Sequence, residues 1–205
     1  MKVLITAGPT HEYIDRVRYL SNASSGKMGY ELAYAARDKS HKVVLVSGPT
    51  NLKAPDGVKL IKVTSSQEMY RTTTKLFKDS DAIIMSAAVS DYRPSSYFDG
   101  KLKKQNKNLI LKLVPTIDIL KTLGNKKGNR ILIGFALEVK NSRENAIRKL
   151  HQKNLDYVVL NSPDAFGKDA STVEIWSRKG LIKRFVNISK RQISRFIIRL
   201  IKVDK

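Results

Sequence analysis

Apolar positions along the chain fall into short continuous runs, separated by longer stretches with helical spacing. Residues 2–6 (KVLIT), 42–46 (KVVLV), 58–63, 82–85 (AIIM), 109–113, 131–135 and 157–160 are apolar runs bounded by turn residues, a pattern that predicts buried strands. Between them lie amphipathic stretches. Over residues 26–39, Met28, Tyr30, Leu32, Ala33 and Ala36 share one broad face. A second helix starts where Ser65 and Glu68 are spaced as a capping box, and runs to about Phe77. Further helices are predicted near residues 118–123 and over 141–153. Residues 172–176 and 181–186 read as a hairpin around Arg178-Lys179-Gly180. The chain then ends in a helical pattern, with Ile193, Phe196, Ile197, Leu200 and Ile201 on one face and Arg191, Arg195 and Arg199 on another. Strands alternating with helices predict an α/β fold: a doubly wound, mainly parallel sheet with helices on both faces, closed by the hairpin and helix. With no repeat and no low-complexity linker, residues 1–205 read as one domain.

Two stretches resist this alternation. Residues 7–25, after the first strand, and 87–108, after the fourth, are long and irregular. In such sheets ligands bind beyond the carboxyl ends of the strands, where strand order reverses. Loops this long in a compact domain are uncommon unless they carry function. The site is expected where these two segments meet.

Charge sharpens the expectation. Lys and Arg number 39 against 18 Asp and Glu, a net +21 in 205 residues, and such a field attracts anions. Residues 99–130 hold nine basic groups against two acidic, and 178–205 ten against one. The aromatics are scattered at strand and helix-core positions rather than interleaved with the cations, so a nucleic-acid-binding module is the weaker reading. The absence of cysteine excludes disulfides, Cys-ligated metals and a thiol nucleophile. No apolar run approaches the ~18 residues of a membrane span, and no leader pattern follows Met1, so a soluble cytoplasmic protein is expected. His11, His41 and His151 stand in no partner pattern and read as non-catalytic.

At Ser24, Ser25, Gly26 (SSGKMG) a loop is expected to enter a helix, an arrangement that favours anions through backbone N–H groups and the helix dipole. The segment is not a P-loop: Ser21 stands where its first glycine belongs, and no Ser or Thr follows Lys27. A dinucleotide fingerprint is absent too, since Gly8-Pro9-Thr10 lacks the second and third glycines. This weakens the alternative of an NAD(P)-dependent Rossmann reductase. An ordinary serine-capped helix start remains open on this segment alone.

Four segments together resemble the phosphopantothenate–cysteine ligase family, the synthetase half of the bacterial bifunctional coenzyme A biosynthesis flavoprotein. They are TAGPTHEYIDRVRYLSNASSGKMGY (residues 6–30), LVSGPT (45–50), SAAVSDYRP (86–94) and KLKK (101–104). GFALE (134–138), the Lys149/Lys153 pair and NLDYVVLNS add to the match. The resemblance implies a Rossmann-like fold and a homodimer with its active site at the interface. It implies a two-step ligation, in which the carboxylate of 4′-phosphopantothenate attacks the α-phosphate of a nucleoside triphosphate and L-cysteine then displaces the nucleotide. CTP with Mg²⁺ is implied by the KLKK-type loop; eukaryotic relatives use ATP. A separate phosphopantothenoylcysteine decarboxylase would complete the route, or the chain is one half of a longer protein, because no flavin domain is seen before Lys2.

Carried over residue by residue, the resemblance makes Asn22 the residue that holds the acyl-nucleotidyl intermediate, with an Asx-turn as the plain alternative. Arg18 falls on a family arginine suited to gripping a carboxylate or phosphate. Lys101 falls on the lysine tied to the nucleotide and to turnover. Met85, Ser86 and Ala87 are implied to approach the nucleotide. Asp91 is implied at the ribose or the metal, the metal ligands otherwise being unknown. Ile117, Asp118, Ile119 and Leu120 match the family's Pro-Asp-Ile-Leu turn, with Ile117 in place of its proline. Phe135 is implied beside the nucleotide, with core packing the alternative. Lys149 and Lys153, four apart on one helix face, are implied at the triphosphate.

Overall fold

The computed structural model describes residues 1–104, 106–137, 140–162 and 170–201. Six parallel strands form the centre: β1 (Lys2–Ala7), β4 (Lys42–Ser47), β5 (Lys59–Lys62), β6 (Ala82–Met85), β9 (Ile131–Leu137) and β10 (Tyr157–Asn161). They lie in the order β5-β4-β1-β6-β9-β10, which is the 3-2-1-4-5-6 arrangement of doubly wound nucleotide-binding sheets. β11 (Ala170–Ser177) and β12 (Gly180–Ser189) continue the sheet beyond β10 as an antiparallel hairpin.

Helices cover both faces because the strands are apolar on both. α1 (Lys27–Asp38) and α5 (Lys190–Leu200) pack on one face, where Leu32, Ala36, Ile193 and Ile197 share a core with Val3, Ile5 and Leu45. α2 (Ser66–Phe77), α3 (Ile119–Asn125) and α4 (Ser142–Gln152) cover the other, with Met69, Leu123 and Leu150 against Leu4, Ile83 and Leu132. The N-cap half of the predicted capping box forms, with Ser65 Oγ accepting from Glu68 N–H at 3.2 Å, but the Glu68 carboxylate reaches one residue further back and accepts from Thr64 N–H at 2.7 Å. The terminal helix docks its apolar stripe, and its arginine face is exposed.

The sheet class, the closing hairpin and the two-sided helices agree with the sequence reading; three details differ. α1 begins on Gly26, not on a serine cap, because a left-handed φ of +76° there turns the loop into the helix. The irregular segment after β1 contains a hairpin, β2 (His11–Tyr13) with β3 (Tyr19–Ser21), whose three-residue strands are too short to show alternation. Residues 109–112 are not strand. Only β8 (Leu113–Pro115) forms, and it pairs with β7 (Tyr92–Pro94) outside the main sheet. The apolar run reads as a buried strand, yet Leu109 and Ile110 are 61% and 89% exposed, so no sheet receives them.

Candidate active site

Strand order reverses between β1 and β6, and both long segments leave the sheet there. They are laced together. Ala88 N–H donates to Gly8 O at 2.9 Å and Thr10 N–H to Ala88 O at 3.3 Å. Thr6 Oγ1 accepts from Ala87 N–H (3.2 Å), and Thr10 Oγ1 from Ser90 N–H (3.0 Å). Across this crest lies Asn22, whose Nδ2 donates to Val89 O at 3.0 Å. The ladder also needs Gly48: a Cβ there would stand 1.7 Å from Pro9 O. Ser86 Oγ is buried without a partner, beside Met85, whose buried Sδ accepts from Thr6 Oγ1.

On the β1/β4 side a cavity of about 810 Å³ opens between residues 21–25 and residues 47–52, with His11, Tyr19 and Lys62 among its walls. Ser24 and Ser25 bring it to the N-terminal end of α1, where partial positive charge favours an anion. Their hydroxyls accept from Gly26 N–H at 3.3 Å and Lys27 N–H at 3.4 Å. His11 stacks on Tyr19 at 3.8 Å between centroids, and burial lowers its pKa, which favours neutral imidazole.

On the β6/β9 side the turn before α3 meets the end of α4. Asp118 caps α3 by accepting Lys121 N–H at 2.9 Å and pairs with Lys153 at 2.9 Å. Burial alone would raise the Asp118 pKa, but those bonds and the nearby Lys149 outweigh it and lower it. Lys149 Nζ donates to Phe135 O at 2.7 Å, so Phe135, Asp118, Lys149 and Lys153 converge. Ile117 is exposed, whereas Ile119 and Leu120 are core residues whose side chains face away from solvent. Thr116 joins this turn to the crest through its N–H on Asp91 O (2.9 Å) and its hydroxyl on Ser90 O (2.6 Å). Asp91 itself is exposed.

Arg18 is not presented freely. Its Nε and Nη2 hold Asp15 Oδ2 at 3.0 and 2.5 Å, and Nη2 also donates to Leu102 O at 2.6 Å. Asp15 is fully buried, and the Arg18 hydrogen bonds hold its carboxyl well below the usual carboxylate range. Lys101 is exposed beside this knot. Sequence reasoning missed Thr6, Thr10 and the Asp15–Leu102 contact, because those partners lie about 80 or more residues away and leave no spacing signal. Among the described residues no group of three His, Cys, Asp or Glu side chains is placed to hold a metal ion. No helix among them is long and apolar enough to cross a membrane.

Comparison with known proteins returns a family model, "DNA/pantothenate metabolism flavoprotein C-terminal domain", over residues 1–203. The coenzyme A biosynthesis bifunctional protein CoaBC of Bacillus subtilis (strain 168) is 43% identical over 197 residues, 94% of this chain and 48% of its own length. CoaBC of Borreliella burgdorferi is 39% identical over 203 residues, covering 98% of this chain and 52% of the relative. The chain thus spans about half the length of these relatives. The crystal structure of the C-terminal domain of CoaBC superposes with a TM-score of 0.85 at 38% identity, covering 98% of this chain and 93% of that domain. A DNA/pantothenate metabolism flavoprotein from Streptococcus pneumoniae, 21% identical and covering 98% of each chain, shares the fold at a TM-score of 0.84. With the match running through both laced loops and the sheet that carries them, the chain belongs to the DNA/pantothenate metabolism flavoprotein C-terminal domain family.

Proposed function

We propose that the chain joins 4′-phosphopantothenate to L-cysteine in coenzyme A biosynthesis, using CTP. The observation that carries this reading is the crest: Asn22 bridges the two long loops, with an anion-favouring helix start on one side and the Asp118–Lys153 cluster on the other. The substrate carboxylate attacks the α-phosphorus, a P–O bond forms, and pyrophosphate leaves. The cysteine amine then attacks the activated carbonyl, loses a proton, and expels CMP. Such chemistry depends on charge neutralisation and in-line positioning more than on a titrating base. Lys149, Lys153 and Lys101 supply cationic charge for the triphosphate. Asn22 holds the acyl-cytidylate, since its amide both donates and accepts. Ser24, Ser25 and Gly26 present hydroxyls and the first N–H groups of α1 to phosphate. Ala87, small and next to the orphan hydroxyl of Ser86, leaves room for the nucleotide to approach backbone.

Mg²⁺ would travel with the nucleotide, held mainly by phosphate oxygens and screening their charge, with Asp91 as the exposed carboxylate on the crest. A homodimer is part of the proposal. Tyr13, Tyr92, Tyr97 and Phe98 on the two site-bearing segments, with Ile110 just beyond them, are 41–89% exposed, an apolar surface that a second copy would cover. The product retains the cysteine carboxylate, so a phosphopantothenoylcysteine decarboxylase must follow. We assign the activity to the cytoplasm, where the phosphorylated substrates reside.

Pyrophosphate release from CTP, compared with ATP, tests the reading: it should require both Mg²⁺ and 4′-phosphopantothenate. Asn22→Asp should cripple formation or handling of the intermediate. Lys101→Gln should let the acyl-cytidylate accumulate, visible by mass spectrometry. Wild-type turnover in both variants would refute these site assignments.

A further inference from the structure

We propose that Asp15 is a positioning residue that latches residues 98–102 onto the turn between β2 and β3 and thereby fixes where Lys101 stands. The inference rests on the ligase reading for what Lys101 does, and on geometry alone for the latch. Asp15 Oδ1 accepts from Val17 N–H (2.9 Å) and Arg18 N–H (2.7 Å), which shapes the turn. Its Oδ2 accepts Leu102 N–H at 3.0 Å as well as the Arg18 guanidinium, and that guanidinium returns to Leu102 O at 2.6 Å. Both backbone groups of Leu102 are thus held by one acid–base pair. The preceding residues are tied as well. Phe98 N–H donates to Ile14 O at 3.0 Å, and Arg16 N–H to Gly100 O at 3.0 Å. Arg16 Nε adds a bond to Asp99 Oδ1 at 2.8 Å.

Lys101 therefore sits between two anchored neighbours while its side chain remains exposed. With the backbone fixed on either side, its ammonium sweeps a small volume, which is what positioning a cation at a phosphate requires. The latch does not serve the cores. Neither apolar cluster includes a residue of 14–18 or 98–102. Asp15 is buried away from both cores and shapes its own turn with one oxygen, while the other, with Arg18, holds the remote peptide unit of Leu102 next to Lys101.

The test uses the full chain carrying Asp15→Asn. Brief trypsin treatment should cut after Lys101, Lys103 or Lys104 severalfold faster than in wild type, with the melting temperature little changed. In pyrophosphate release from CTP, Asp15→Asn should lower kcat by about 100-fold, the scale of a misplaced catalytic group. In a Lys101→Gln background it should add nothing, because coupled residues are non-additive whereas a general structural weakness adds. If Asp15→Asn fails to fold, Leu102→Pro removes the same N–H donor without touching the acid; it should reproduce the kcat loss and speed cleavage after Lys103 and Lys104. Unchanged cleavage in the folded variants, or losses that add to that of Lys101→Gln, would overturn the proposal. A wild-type chain that releases no pyrophosphate from CTP or ATP would instead refute the ligase reading, and cleavage would still decide the latch.

Discussion

Gly48 shows how little room the site leaves around its backbone. A single added methyl would meet Pro9 O at 1.7 Å, and Pro9 belongs to the ladder that joins the two long loops. Gly48→Ala should therefore cost about 1–3 kcal/mol, the range for overpacking, in urea denaturation. It should also slow turnover, because the β1 loop must shift to admit the methyl. At this scale the sequence was informative wherever a motif carried the residue. Asn22, Asp118, Phe135, Lys149 and Lys153 were singled out by the family resemblance; Asn22 lies on the crest, and the other four converge beside α3 and α4. The resemblance singled out Arg18, but not its engagement with Asp15. Asp15 does make a local turn with Val17 and Arg18, but nothing near it in the chain announces its hydrogen bond from Leu102, 87 residues away. Ile119 and Leu120 share a motif with Asp118 but turn inward, as apolar side chains in the first turn of a core-facing helix must.

Elements with a full apolar face were readable, and the short ribbons were not. β1, β4, β6, β9 and β10 follow from continuous apolar runs, and α5 from its stripe, because burial on a sheet leaves a periodic trace. β2–β3 and β7–β8 are held by loop-to-loop hydrogen bonds, which leave none. The C-terminal hairpin carries a further fastening. Glu174 on β11 accepts from Arg143 at 2.6 and 2.9 Å and from Trp176 Nε1 at 3.2 Å, tying the start of α4 to the hairpin. The Arg143 hydrogen bonds depress the Glu174 pKa, outweighing its burial. A depressed carboxylate stabilises the folded state above its unfolded pKa and loses that contribution as pH falls through the folded value. Glu174→Gln should thus destabilise by about 1–3 kcal/mol at neutral pH. The gap to wild type in thermal melts should hold from about pH 8 to 5, begin to shrink below the unfolded carboxyl value of about 4.3, and vanish only as pH falls through the lower folded value. A gap that persisted unchanged at low pH would exclude a charged Glu174 as its source.

For the whole molecule, a net +21 and an apolar end act against each other. Like charges oppose association, while exposed Tyr92, Tyr97, Phe98 and Ile110 at the site-bearing end favour it. Sedimentation should show a dimer that weakens at low ionic strength, where repulsion is least screened. Ile110→Asp, at a residue 89% exposed, should shift the chain toward monomer without lowering its melting temperature in the monomeric state.

The pairing of α1 with α5 has a consequence for synthesis. Ile193 and Ile197 share a core with Leu32 and Ala36 of α1, and Ser194 Oγ donates to Met28 Sδ at 3.6 Å. As the chain leaves the ribosome, the helix whose tip is proposed to face phosphate emerges early and lacks its α5 partner until residues 190–201 follow. A ribosome-bound nascent chain stopped short of them would hold most of the proposed binding residues yet lack the brace beside them.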